Sequence, residues 1–134
     1  MSTRSAIIMK TPKGYKGIYC HFDGYETGVG AILNEHYQDA DKVSRLIALG
    51  DISCLGKRVE PIGPHSYDKA EKDTTIAYTR DRGETGCKAT TGKTIEDVES
   101  KIGHNGYVYV FENGDWTCNE IPLVEAIKAA QAEE

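Results

Sequence analysis

The Asn113-Gly114 pair constrains the fold of this chain more than any other feature. It separates two runs, residues 106–112 and 115–121, in which apolar and polar side chains alternate. An Asn-Gly pair between alternating runs is a strong signal for a two-residue β-hairpin, because both turn residues must adopt positive φ. We therefore predict a hairpin near the C-terminus in which Phe111 lies opposite Trp116.

The N-terminal part of the chain predicts a second hairpin. Residues 5–10 have the apolar content of a strand, and residues 15–22 alternate so that Ile18 lies on one face and Tyr19 on the other. Thr11-Pro12-Lys13-Gly14 lies between them and has the residues of a tight reversal.

Apolar residues at helical spacing predict the helices, which begin near Val29, after Asp39 or Asp41, after Thr94 and at Pro122. Residues 51–55 are expected to form a short helical turn or an irregular segment, and residues 74–79 a strand. The last helix is expected to bury Leu123, Val124 and Ile127.

The resulting order of elements predicts an α+β fold. We expect a mainly antiparallel sheet built from hairpins, with three to four helices packed on one face. The chain, 1–134, is interpreted as a single domain. Residues 56–73 contain Pro61 and Pro64 together with several charges, and they are predicted to form a long surface loop.

Composition excludes several classes of protein. The net charge of −5 over 134 residues makes direct nucleic-acid binding unfavourable, because the summed charge has the wrong sign. No run reaches the roughly 18 apolar residues of a membrane span. The apolar stretch before Lys10 is too short for a signal-peptide core. Without a secretory signal, the four cysteines are expected to be free thiols.

The first candidate site follows the second predicted strand. Its residues combine an imidazole, carboxylates and glycines, and they are His21, Asp23, Tyr25, Gly28, Gly30 and His36. A His and an Asp two residues apart on a strand point the same way, so they could act as an acid-base couple or ligate a metal with a second His. The alternative is a structural corner in which these groups hydrogen-bond the backbone. The four histidines, His21, His36, His65 and His104, show no tight metal-ligand spacing, and no cofactor is predicted.

The second candidate site is the segment that contains Arg80, Arg82 and Glu84. Two arginines near a strand end could hold a phosphate or carboxylate through paired hydrogen bonds. The alternative is a solvated loop in which the arginines pair with neighbouring acids. Eight tyrosines add aromatic surface of the kind found in nucleotide sites and protein interfaces.

Several segments of the chain together resemble a widespread family of small proteins encoded by phages and prophages. They are Ile18–Tyr25, Gly28–Gly30, Leu33, His36-Tyr37, Leu46–Ser53, Thr79–Glu84 and Phe111–Trp116. The family has no assigned activity, so the resemblance transfers no catalytic residues. It implies a phage setting and a location in the cytoplasm of the infected host bacterium.

Three functions follow as expectations. The first is a non-enzymatic accessory protein that binds and inhibits a host defence factor or another host protein, for example in the manner of an anti-CRISPR protein. Its acidic surface would favour a nucleic-acid-binding partner. The second is a small-ligand binder that sequesters a nucleotide signal, and the third is a hydrolase or metal enzyme that uses His21, Asp23 and His36. Homo-oligomerisation stays open.

Overall fold

The computed structural model describes residues 3–103 and 106–133, and His104 lies outside them. The described residues form eight strands, which are β1 (Ser5–Thr11), β2 (Gly14–Cys20), β3 (Ile52–Cys54), β4 (Ile76–Ala77), β5 (Thr90–Gly92), β6 (Tyr107–Glu112), β7 (Asp115–Cys118) and β8 (Ile121–Pro122). They also form the helices α1 (Ala31–His36), α2 (Ala40–Ala48), α3 (Tyr78–Arg82), α4 (Ile95–Ile102) and α5 (Leu123–Ala132), and a π-helical turn at Glu26–Gly30 precedes α1. Over these residues, no helix has the length and apolar character that crossing a membrane requires.

All eight strands belong to one sheet. Its order is β4-β3-β2-β1-β6-β7-β8, and β5 pairs with the far part of β2. The pairs β1–β6 and β2–β3 are parallel, whereas the other pairs are antiparallel. The predicted α+β fold with a mainly antiparallel sheet is therefore confirmed.

Both predicted hairpins are present. Asn113 and Gly114 have φ values of 56° and 82°, and Phe111 pairs with Trp116 as expected. At the N-terminus, β1 pairs with β2 from Ser5 opposite Cys20 to Thr11 opposite Gly14. The turn chemistry is sufficient for these two predictions because each hairpin is closed by residues adjacent in the sequence.

The helices cover both faces of the sheet, so the expectation that they pack on one face is wrong. The larger core lies on the side of α1, α2 and α5, and it includes Ile18, Leu33 and Tyr109. On the opposite side, Val98 of α4 packs against Ile8. Alternation along β1 produces this arrangement, because successive apolar residues of the strand point to opposite faces and each face needs a cover.

Three local predictions are also wrong. Residues 52–54 form strand β3 instead of a helical turn, and the strand expected over 74–79 is limited to β4, after which α3 begins at Tyr78. In α5, Val124 is half-exposed and Ala126 is buried in its place. A three-residue strand is too short to show periodicity, and its pairing depends on residues across the long loop.

Free thiols are confirmed for all four cysteines. Cys20 and Cys118 are buried, while Cys54 and Cys87 are partly exposed. Burial is the main cause that raises the pKa of the Cys20 thiol to about 12 and that of Cys118 to about 11. These two side chains therefore act as small apolar groups of the core.

Glu71 organises the long loop predicted at 56–73. Its carboxylate accepts hydrogen bonds from the backbone N–H groups of Ile62 and Gly63, at 2.9 and 2.8 Å, and from the Thr74 hydroxyl at 2.6 Å. These bonds, led by the one from Thr74, lower the pKa of Glu71 to about 2. The loop is therefore folded around an ionised carboxylate.

We expect this loop to open in acid. An unperturbed Glu has a pKa of about 4.3, so the stabilisation from Glu71 is complete above that pH and is lost as the pH falls towards 2. Amide hydrogen exchange followed by NMR from pH 5 to pH 2 should show Ile62 and Gly63 losing protection, while Ile8 in β1 stays protected. Glu71→Ala should expose the same two amides already at pH 5. Retained protection of both amides at pH 2 would show that another interaction holds the loop.

Candidate functional site

The corner after β2 is fixed by backbone hydrogen bonds to the core. The backbone N–H of Gly24 donates to the Thr3 carbonyl oxygen at 2.8 Å, and the Tyr109 hydroxyl donates to the Gly24 carbonyl oxygen at 2.6 Å. The N–H of Val29 donates to the Asp23 carbonyl oxygen at 2.8 Å, and Asp23 itself has φ 58°. The corner therefore has one defined shape before any partner binds.

Gly28 and Gly30 allow close packing inside this corner. A Cβ atom on Gly28 would lie 2.4 Å from the Asp23 carbonyl oxygen, which is a backbone atom. A Cβ atom on Gly30 would lie 3.2 Å from the Tyr109 hydroxyl oxygen. The structure thus gives both predicted site glycines a packing role beneath the surface.

The side chains of the corner point outward. Phe22 and Tyr25 are each 39% exposed, and the Tyr25 hydroxyl donates to Asp23 Oδ1 at 3.3 Å. The pKa of the Tyr25 hydroxyl is raised, mainly by the negative charge of Asp23. A fixed backbone that displays large apolar side chains is suited to recognition, because little conformational entropy is lost on binding.

A row of aromatic side chains extends from this corner across the end of the sheet. The rings of His21 and Phe22 are in edge contact, with centroids 4.5 Å apart. On the other side of His21, the Tyr19 hydroxyl lies 2.6 Å from Nδ1, and the ring centroids are 5.9 Å apart. The imidazole is therefore held between two aromatic neighbours.

Asp51 connects Tyr19 to the next ring of the row. Its carboxylate accepts from the backbone N–H of Tyr19 at 2.9 Å, and its carbonyl oxygen accepts from the backbone N–H of Tyr78 at 3.3 Å. Burial raises the pKa of Asp51, and the Tyr19 N–H counteracts this by stabilising the ionised form. The Tyr78 pKa is also raised by burial first, with smaller contributions from Tyr67 and Tyr19.

The row ends at a cation. The rings of Tyr78 and Tyr67 are stacked with centroids 6.0 Å apart, and the guanidinium carbon of Arg82 lies 4.9 Å from the Tyr67 ring centroid. Cation–π stacking of this kind is worth about 0.5–1 kcal/mol at exposed sites. We call the row the aromatic stripe, and it consists of Phe22, His21, Tyr19, Tyr78, Tyr67 and Arg82.

The stripe joins one residue from each of the two predicted clusters, His21 and Arg82. Next to its Arg82 end is a concavity of about 470 Å³, whose wall includes Asp68 and Asp81. Glu84, also predicted, lies 3.3 Å from the Arg82 guanidinium. His21 and Arg82 were both candidates from the sequence, and the fold places them on the same surface.

Arg80 is directed into the protein instead. Its guanidinium donates to the carbonyl oxygens of Val59 and Thr75, at 2.5 and 2.7 Å, and to the Asp81 carboxylate at 2.9 Å. The donors of Arg80 are thus occupied by acceptors of the chain, in the way the structural alternative describes. Of the two arginines proposed to hold an anion, only Arg82 faces the stripe.

His36 belongs to a different part of the surface. It lies at the end of α1, and its Nε2 is 3.7 Å from the carboxylate of the adjacent Glu35. No group of three or more His, Cys, Asp and Glu side chains in 3–103 and 106–133 is arranged to hold a metal ion. Within these ranges, His21, Asp23 and His36 are therefore not gathered into one metal-ligand set.

Sequence reasoning missed a buried His-Asp pair that supports the stripe. His65 and Asp81 have side chains that are 1% and 4% exposed, and His65 Nε2 lies 3.1 Å from Asp81 Oδ2 without the alignment of a straight hydrogen bond. His65 Nδ1 accepts from the backbone N–H of Glu71 at 2.9 Å, so the proton of a neutral ring resides on Nε2 and faces Asp81. Asp81 also accepts from the backbone N–H of Ala77 at 2.8 Å.

Asp81 therefore connects α3 to the long loop. Burial alone would raise its pKa, but the hydrogen bonds from Arg80 and Ala77, together with the nearby His65 Nε2, hold it below its usual range. The Asp81 carbonyl oxygen accepts from the backbone N–H of Tyr67 at 3.2 Å. One residue thus fixes the position of two members of the stripe, Tyr67 and its own neighbour Arg82.

Comparison of the chain with protein-family models, with curated proteins and with solved structures gave no match. The functional argument therefore depends on the geometry of the site and on the chemistry of its residues.

Proposed function

We propose that this protein is a non-enzymatic accessory protein that binds another protein stoichiometrically, and that the aromatic stripe is the centre of the binding surface. The observation that carries the proposal is the row of side chains from Phe22 to Arg82. It consists of two groups of contacting rings, Phe22-His21-Tyr19 and Tyr78-Tyr67, the second of which ends at Arg82. Asp51 connects the two groups through its hydrogen bonds to the backbone of Tyr19 and Tyr78. Tyr and Arg are among the residues that dominate binding energy at protein interfaces. Stacked rings are also already ordered, so binding immobilises few free rotamers.

The charges around the stripe favour a basic partner. Asp23 lies beside the Phe22 end, while Asp68 and Glu84 lie near the Arg82 end. The whole chain has a net charge of −5, which would accelerate encounter with a positively charged surface. The positive charge of Arg82 between acids then fixes the orientation of the two proteins.

The proposed biological setting is a phage infection, to which the resemblance of the sequence to phage-encoded proteins points. A small acidic protein made during infection would find basic surfaces on host proteins that bind nucleic acids, including defence factors. Blocking such a surface would inhibit the host protein without catalysis. The proposed place of action is the cytoplasm of the infected bacterium.

A quantitative capture experiment tests this function. The tagged wild-type protein, the double variant Phe22→Ala/Tyr67→Ala and the control Ile121→Ala/Val124→Ala are used as baits in host lysate. The control removes two apolar side chains that are about half exposed elsewhere on the surface. An interface hot spot contributes at least about 2 kcal/mol, so the loss of even one of the two side chains should weaken binding of the purified partner at least about 30-fold.

The outcomes separate the alternatives. A host protein that binds wild type and control in a 1:1 complex, but binds the stripe variant weakly, supports the proposal. Equal retention by all three baits would contradict it. Self-association that is lost in the stripe variant would also contradict it, because the stripe would then be a homo-oligomer interface.

The geometry favours protein binding over a nucleotide site at this place. Of the residues expected to hold phosphate, Arg80 is bound to backbone carbonyl oxygens, and Arg82 is paired with Glu84. Asp68 and Asp81 line the adjacent concavity and would repel an anion. A nucleotide-binding function therefore requires another part of the molecule.

A further inference from the structure

A concavity of about 700 Å³ lies at the opposite end of β2 from the aromatic stripe. One wall is the β1–β2 turn with Lys13 and the start of β2 with Lys16. The other wall is the junction of β5 and α4, where Lys93 precedes the N-cap residue Thr94. Within α4, Asp97 and Lys101 are four residues apart and therefore lie on one face of the helix.

Four lysines thus line this concavity in a chain whose net charge is −5. The one carboxylate of the lining belongs to Asp97, which accepts from the backbone N–H of Lys93 at 3.3 Å and lies 3.8 Å from Lys101 Nζ. Lys101 also donates to the Thr91 carbonyl oxygen at 2.9 Å. The Asp97 carboxylate is therefore already paired with Lys101, one of the four lysines.

The other three lysines differ from Lys101 in their ion pairing. Among the ion pairs of the described residues, none includes Lys13, Lys16 or Lys93. Like charges gathered in a cleft with low-dielectric walls concentrate the electric field and raise the local concentration of anions. The local excess of positive charge is opposite in sign to that of the whole chain, so composition alone could not reveal it.

The size and lining of the concavity restrict the ligand. Its volume lies within the roughly 300–1,000 Å³ of small-molecule sites. Pro12 and Tyr15 supply apolar surface, and the Tyr15 hydroxyl is held by a 2.7 Å hydrogen bond to Glu112. Lysine binds phosphate as a point charge and does not require the planar geometry that arginine does. We propose that this lysine cavity binds a multiply charged phosphate compound of nucleotide size.

Calorimetric titration with ATP in metal-free buffer tests the proposal. The binding variant is Lys13→Gln/Lys93→Gln, which removes both charges and keeps polar side chains, and the control Lys57→Gln/Lys128→Gln removes two exposed charges elsewhere. We expect 1:1 binding by wild type and control, at least tenfold weaker binding by the variant, and weaker binding at higher salt. Adenosine, which lacks the charge, should not bind.

Two further probes identify the source of the phosphate. Tripolyphosphate that binds as tightly as ATP supports the site and shows that the phosphates suffice. An eight-residue oligothymidylate that binds more tightly than ATP, and loses binding in the same variant, supports the site and identifies a polynucleotide strand as the source. Absence of binding by all three phosphate probes, or an equal loss in the control variant, would overturn the proposal. Because the Phe22→Ala/Tyr67→Ala variant keeps the lysines, its ATP binding should be unchanged.

Discussion

Replacing Asp81 by alanine is expected to lower the free energy of unfolding by at least about 2 kcal/mol, because several donors lose their acceptor and each unsatisfied buried group costs about 1–3 kcal/mol. The variant leaves the Ala77 N–H, the His65 Nε2 and part of the Arg80 guanidinium without an acceptor in a region where the Asp81 side chain is 4% exposed. Chemical denaturation at neutral pH measures the loss. Tyr67 and Tyr78 should also separate, which near-ultraviolet circular dichroism would detect.

The exposed neighbour of Asp81 is the matched control. Arg82 pairs with Glu84 at the surface, so Arg82→Ala should change the free energy of unfolding by no more than about 1 kcal/mol. The pKa of Asp81 is lowered in the folded chain, so its contribution is present above the unfolded value of about 3.9 and is lost as the pH falls through the folded value. Asp81→Ala should therefore remove part of the acid sensitivity of stability below about pH 4. Equal stability of wild type and Asp81→Ala would show that Asp81 does not stabilise the connection between α3 and the long loop.

Replacing Tyr109 by alanine is expected to cost roughly 3–5 kcal/mol, as for other large aromatic residues removed from a core. The ring is fully buried and lies against Gly30, while the hydroxyl donates to the Gly24 carbonyl oxygen. Burial, the largest cause, raises the pKa of this hydroxyl, which keeps it protonated as a donor at neutral pH. Thermal and denaturant unfolding should show the loss.

A second variant separates packing from hydrogen bonding. Tyr109→Phe keeps the ring and leaves the Gly24 carbonyl oxygen without its donor, so we expect a loss of about 1–3 kcal/mol. Tyr25→Phe is the control, because its hydroxyl bond to Asp23 is exposed, and its effect should be within about 0.5 kcal/mol. If Tyr109→Phe were as stable as the wild type, the corner after β2 would not depend on this hydrogen bond.

Local signals predicted the parts of the fold that neighbouring residues determine. Asn113-Gly114 fixes one hairpin, and the Thr94 hydroxyl caps α4 by accepting from the Asp97 N–H, as its position in the sequence indicates. Local signals did not predict strand β3, because its three residues pair with β4 across the long loop. The face on which α4 packs was also beyond local reasoning, because an amphipathic helix has the same pattern on either side of a sheet.

The candidate sites also combine residues that the sequence singles out with contacts that depend on distant parts of the chain. His21, Arg82 and the abundance of tyrosine were visible in the sequence, but their adjacency depends on Asp51 and Asp81, which connect segments far apart along the chain. Tyr67 gave no signal, since it lies in a loop without periodicity. For the lysine cavity, no local pattern relates Lys93 to Lys16, because their proximity follows from the pairing of β5 with β2.

Hydrogen exchange of the free protein and of its purified 1:1 complex locates the surface that contacts the partner. If this surface is the aromatic stripe, the amides of Tyr19, His21, Phe22, Tyr67 and Tyr78 exchange more slowly in the complex, with no change in α5. Slower exchange confined to α5 or to the β7–β8 edge, with unchanged exchange along the stripe, would show that the partner binds elsewhere.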